Sequence, residues 1–276
     1  MGKKRKGRRR SQPEGWGARP QQVEAWLDRA EAHLMNQAYE RVVRTTHLIL
    51  RNVPEGSKPY AEANYLLGAA LGMLQDFEGS REALSRTLEA DPHHASAWYN
   101  RALSNRLLLR TGEALRDVER AVELENRPED REIYEEERAF LRHIVEKQLA
   151  MRGPDYTVDQ LIEEQHTFWR GVRLMAAEAW EEAEAAFRRV IAIGDVPHQP
   201  WGNLGACLIM QERYDEAEEA LRKALEIYPD YAPARRNLMM LPDIRRTGPP
   251  DGMRIEEPWR GRELDQSIEF FEKRES

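Results

Sequence analysis

An all-α solenoid of helical hairpins is the fold this 276-residue sequence predicts. Three observations predict it. The segment 201–229 reappears 34 residues earlier: Gly205 steps back onto Gly171, Leu208 onto Leu174, Tyr214 onto Trp180, Ala217 onto Ala183 and Leu221 onto Phe187. Within each copy apolar residues recur every three or four positions, which is the spacing of one helix face. Pro54, Pro92 and Pro229 each follow such a copy, where a ring without an N–H cannot continue a helix. One hairpin cannot bury both of its faces, so copies stack on one another.

The elements follow in order. The first copy holds Trp26, Ala30, Tyr39, Val42, Leu50 and Pro54, displaced by 38 residues from the next. Gly56 and Ser57 mark the longer loop that takes up the difference. The second, 64–92, keeps Leu67, Gly68 and Pro92. The third, 98–126, keeps Ala102, Ala114 and Ala121. A single long helix is then expected at about 128–151, with Ile133, Tyr134, Phe140, Leu141, Ile144 and Val145 as its apolar stripe. Gly153-Pro154 ends it, and Asp155-Tyr156-Thr157 starts a helix running through His166 to Met175. The fourth copy, 167–195, keeps Gly171, Ala183 and Phe187; the fifth is 201–229. A capping helix at 231–241 should stop at Pro242. Residues 261–273 predict a short amphipathic helix with Leu264, Ile268 and Phe271 on one face, either docked on the last exposed helix or read by another protein. The expected organisation is a tail (1–20), three repeats (21–127), a linker helix (128–156), two repeats with a cap (157–241) and a Pro/Gly-rich tail (242–276). The linker helix should hinge two lobes.

Composition narrows the function classes. Hydrophobic residues make up 41% of the chain, enough for a core, but no apolar run approaches the roughly 18 residues of a membrane span. The one cysteine, Cys207, excludes an internal disulfide and a thiolate-rich metal site. Net charge is −7, yet residues 3–10 carry Lys3, Lys4, Arg5, Lys6, Arg8, Arg9 and Arg10 and no acid. This basic run is a solvated tail or a weak contact for nucleic acid, ribosome or an acidic partner. No apolar stretch follows it, so a secretory signal is not expected and a cytoplasmic location is.

The repeated pattern resembles the tetratricopeptide-repeat family, a helix–turn–helix unit of 34 residues with the signature W-x2-L-G-x2-Y…A-x3-F…P. The copy at 201–229 carries it nearly whole as Trp201, Leu204, Gly205, Ala217 and Pro229, with Leu208 and Leu221 in place of the two aromatics. About five copies cover most of the chain. The resemblance implies a non-catalytic scaffold that binds a protein or peptide, with the first helices of successive repeats lining a concave groove. It places Tyr65, Leu66 and Met73 of the second repeat there, and Tyr99, Asn100, Leu103 and Arg106 of the third. From the fourth come Phe168, Trp169, Val172 and Met175; from the fifth, Asn203, Ala206, Ile209 and Met210. Asn100 and Asn203 share one repeat position, where an amide can both donate to and accept from a peptide backbone. Leu27, Glu31 and Tyr65 stand where relatives that clamp a terminal carboxylate carry lysines and asparagine, so that ligand is disfavoured.

No catalytic constellation emerges, and neither a cofactor nor a metal is expected. His93 and His94 lie in an inter-repeat turn; Glu163, Glu164 and His166 read as a charged helix face; Cys207 reads as a packed thiol. Neither H-E-x-x-H nor a phosphate-binding glycine loop is present. The alternatives are a nucleic-acid- or ribosome-associated factor working through the basic tail, or a regulatory subunit of an enzyme complex.

Overall fold

Helix starts are written into the sequence. Pro20, Pro59 and Pro233 sit in the first turns of their helices, where the missing N–H would have no intrahelical partner anyway. Asp76 caps another helix by accepting from the Gly79 N–H at 3.0 Å. Thr157 and Gln160 form a reciprocal capping box at the helix predicted to start there.

The computed structural model describes residues 17–194 and 198–249. They form twelve helices and no strand. The helices are α1 (Pro20–Met35), α2 (Tyr39–Leu50), α3 (Lys58–Met73), α4 (Phe77–Ala90), α5 (Ala95–Leu107), α6 (Thr111–Leu124), α7 (Pro128–Arg152), α8 (Val158–Ala176), α9 (Trp180–Ile193), α10 (His198–Met210), α11 (Tyr214–Ile227) and α12 (Ala232–Thr247). The chain divides into two compact units. The first comprises Met1–Leu108 and Glu113–Leu141; the second comprises Leu109–Gly112 and Arg142–Ser276. Within the first, α1 to α5 pack each on the next, and α1, α3 and α5 also touch in succession. Within the second, α8 to α12 do the same, with α8, α10 and α12 in line. Both are therefore stacks of hairpins in which first helices lie against first helices.

The turns inside the hairpins show the repeat in the backbone. Gln37, Gln75, Leu109, Glu178 and Glu212 all take positive φ, between 57° and 64°. This left-handed conformation is costly for a residue with a Cβ. In four turns the same hydrogen bond helps offset that cost: Ala38 N to His33 O, Asp76 N to Leu71 O, Ala179 N to Leu174 O and Arg213 N to Leu208 O, at 2.8–2.9 Å. The five residues recur with the spacings read from the sequence.

The helix crossings follow the same register. A Cβ on Gly205 would lie 2.6 Å from Leu221 Cγ; on Gly68, 2.6 Å from Leu84 Cγ; on Gly171, 2.8 Å from Phe187 Cζ. Where the first helix carries alanine instead, the residue sixteen positions on is smaller: Val118 after Ala102, Thr46 after Ala30, all fully buried. Volume lost on one helix is supplied by the other, as close packing requires.

Three expectations need correction. The capping helix does not stop at Pro242 but runs through it to Thr247. The proline forfeits one backbone hydrogen bond, while Leu241 and Ile244 on either side are buried in the core and hold the helix together. The long helix forms as expected, but of its stripe Tyr134, Leu141 and Val145 are buried while Ile133 and Phe140 are 50% and 39% exposed. Finally, Leu66, Met175 and Ile209, placed on the groove by the family resemblance, are core residues. The helix 261–273 and the basic run 3–10 lie outside the described residues.

Candidate functional site

In the first unit the groove positions converge on α7. Tyr99 stacks on Tyr134, with centroids 4.2 Å apart and an interplanar angle of 17°. Arg106 pairs with Glu137 at 2.9 Å and lies over the Phe140 ring at 5.5 Å. Tyr134, Glu137 and Phe140 are three apart, so they form one stripe of α7. The Tyr134 hydroxyl also donates to Ser96 Oγ at 3.3 Å. Tyr65 packs on His94, ring to ring at 4.4 Å. Burial raises its phenol pKa, although hydrogen bonds to Ser96 and Asn100 work against that rise. Leu103 is half-buried.

His94 departs from its reading as a solvated turn residue. Its Nδ1 accepts the Ala97 N–H at 3.2 Å, capping α5. Burial lowers its pKa below the ordinary 6.5, against the opposing pull of Asp91 and Glu62. A neutral ring is what that cap needs, because only an unprotonated nitrogen accepts.

In the second unit Phe168, Val172 and Ala206 pack against the core, and Phe168 meets Phe187 edge-on at 5.8 Å. Trp169 is half-buried, edge-to-face with Phe168, with Arg110 over its ring at 5.8 Å. Asn203 and Met210 are half-buried on α10. The Asn203 amide makes no hydrogen bond among the described residues. At the same repeat position of the first unit Asn100 lies beside Tyr65, on a helix whose Tyr99 and Arg106 are held by α7.

Sequence reasoning missed two polar clusters. In the third hairpin Asp117 receives both arms of Arg101, at 2.7 and 2.8 Å, and the Asn105 amide at 2.9 Å; Arg101 also reaches Ser85 at 3.1 Å. Burial pushes the Asp117 carboxyl up despite these donors. The signal was present: Arg101, Asn105 and Asp117 occupy the positions of Leu204, Leu208 and Ala220 in the fifth repeat. In the second unit Glu164, read as part of a charged face, is buried and takes two bonds from Arg152, at 2.5 and 2.7 Å, and one from the Tyr156 hydroxyl at 2.6 Å. This set ties the end of α7 to α8.

No His/Cys/Asp/Glu group among the described residues is arranged to hold a metal ion. Burial pushes the Cys207 thiol up to about 12, far from the range of a nucleophilic thiolate. No described helix is long and apolar enough to cross a membrane.

Two tetratricopeptide-repeat family models match the chain, over residues 60–131 and 199–231. These stretches are tetratricopeptide repeats, a repeat whose fold suggests a protein-interaction scaffold. Crystal structures similar to it include the TPR domain of P58(IPK), at 12% identity over 82% of this chain and 66% of that one, TM-score 0.44. Another is YrrB, described as a TPR protein with an unusual peptide-binding site, at 19% identity over 76% and 89%, TM-score 0.34. A third is MamA from Desulfovibrio magneticus RS-1, at 14% identity over 78% and 99%, TM-score 0.34. The chain thus spans just under two thirds of the first of these. No curated protein matches it.

Proposed function

We propose that this chain is a non-catalytic adaptor that holds a peptide segment of a partner protein on the α8–α10 face of its second unit. The observation that carries this reading is the Asn203 amide, half-buried on α10 and without a hydrogen bond among the described residues, on a helix that also carries half-buried Met210 and packs against α8, which carries half-buried Trp169. An amide with donor and acceptor both available suits a peptide backbone. An aromatic ring and an adaptable thioether suit apolar side chains. The first unit is the poorer candidate, because Tyr99 and Arg106 already have partners on α7.

A phage-displayed random peptide library selected on the full chain tests the proposal. Selected peptides should carry apolar side chains around a backbone segment. The Asn203→Ala/Met210→Ala double variant should bind them about tenfold or more weakly, since a lost hydrogen bond is worth roughly 0.5–1.5 kcal/mol and buried thioether contact adds to it. Its circular dichroism and melting should stay near those of the parent chain. Peptides that bind parent and double variant equally would remove this face from consideration.

A further inference from the structure

The last helix of a hairpin stack needs a polar outer face. On α12, the last helix among the described residues, the exposed face is largely polar but includes two methionines, Met239 and Met240, 75% and 38% exposed. Arg235, Arg236 and Arg246 surround them and are themselves exposed. The ion pairs that Arg235 makes with Asp230 and Arg246 with Asp243 are solvent-exposed, and such pairs exchange readily for others.

We propose that residues 261–273 of the same chain cover this face. Three observations select that occupant. Leu264, Ile268 and Phe271 stand at helical spacing, a stripe short enough to cover two methionines rather than a long groove. Glu263, Asp265, Glu269 and Glu272 flank the stripe and outnumber Arg262 and Lys273 in the segment, a net acidic balance complementary to the arginines near Met239 and Met240. The reach is ample: the thirteen residues 248–260 can extend roughly 40 Å, while the way back from Thr247 to the methionines is about 12 Å of helix. Tethering so close raises the effective concentration of the segment to the millimolar range. A modest apolar contact therefore suffices to hold the segment in place.

Methionine oxidation by dilute peroxide, read by peptide mass spectrometry on the full chain, tests the proposal. Thioether oxidation follows solvent access, and Met35, at 86% exposure, supplies the reference rate. With residues 261–273 in place, Met239 should oxidise at least about fivefold more slowly than Met35. Ile268→Asp, outside all twelve helices, should bring the two rates within about twofold while leaving the circular dichroism melt unchanged. The protection should be constant over a roughly hundredfold range of protein concentration, because the contact is within one chain. Equal rates for Met239 and Met35 in the parent chain would overturn the proposal. So would protection that survives Ile268→Asp, or protection that grows with concentration and so assigns the cover to a second copy.

Discussion

Hairpins α5–α6 and α10–α11 carry the same repeat and fill it with opposite chemistry. In α10–α11 the crossing is apolar: Leu204, Leu208, Ala217, Ala220 and Leu221 are all buried. In α5–α6 the positions of Leu204, Leu208 and Ala220 hold Arg101, Asn105 and Asp117, where Asp117 accepts from both others while Asn105 Oδ1 stays buried without a donor. The groove positions diverge as well. Tyr99 and Arg106 on α5 meet α7, whereas the Asn203 amide on α10 makes no hydrogen bond among the described residues. The repeat sets the backbone. What each copy does depends on substitutions made in complementary sets, and on which element follows it.

The largest expected effect comes from breaking one such set. Asp117→Ala leaves the Arg101 guanidinium and the Asn105 amide buried without their acceptor. It should cost about 3–5 kcal/mol in denaturant unfolding. Giving the third hairpin the residues of the fifth, through Arg101→Leu, Asn105→Leu and Asp117→Ala together, should recover that loss. The triple variant should be neutral, or more stable than the parent by about 1–4 kcal/mol. A triple variant as unstable as the single one would mean that the three residues do not act as a unit.

The apolar crossing breaks in a different way. Gly205→Leu forces a side chain into Leu221 and the Ala217 carbonyl; overpacking of this kind costs roughly 1–3 kcal/mol or more. Gly205→Ala is milder, and adding Leu221→Val rebuilds the pairing of Ala102 with Val118. Double-mutant analysis should show a favourable coupling of about 1 kcal/mol between the two changes. Simple additivity would separate the crossings of the two hairpins after all.

The smallest effect is a pH dependence belonging to α5 alone. Burial lowers the His94 pKa in the folded chain, so the unfolded chain binds this proton more readily. Stability from this group is complete above the ordinary 6.5 and falls as pH drops below it towards the folded value. His94→Asn keeps a capping acceptor without a titrating ring. Its stability should therefore be flatter than the parent's between about pH 7 and pH 5. Parallel curves for parent and variant would show that His94 does not titrate with folding.

Much of this was legible from spacing alone. Glycine and alanine at 34-residue steps mark the crossings, and the left-handed turn residues recur at the same steps. The long helix at 128–151 was readable because Pro128 starts it and Gly153-Pro154 stops it. Less legible was anything decided by a neighbour distant in sequence. Leu66, Met175 and Ile209 fall on the groove by the family resemblance, yet which side of a half-apolar helix is buried depends on the helices packed on both flanks. Pro242 reads locally as a stop, and core burial of Leu241 and Ile244 overrides it. Glu164 looked like its neighbour Glu163 until α7 brought Arg152 against it. The polar set in the third hairpin was visible as departures from the repeat, but its meaning required all three departures to be read together.

The central claim is that groove residues of α5 are taken up by α7 while those of α10 are available. Isothermal titration of a library-selected peptide into Asn100→Ala and Asn203→Ala variants of the full chain tests it most directly. Asn203→Ala should weaken binding about tenfold, from the loss of hydrogen bonds worth roughly 1–1.5 kcal/mol. Asn100→Ala should leave the affinity within about twofold of the parent, because Tyr99 and Arg106 on the same helix are already held by α7. Loss of binding in Asn100→Ala with normal binding in Asn203→Ala would contradict the account and move the groove to the first unit.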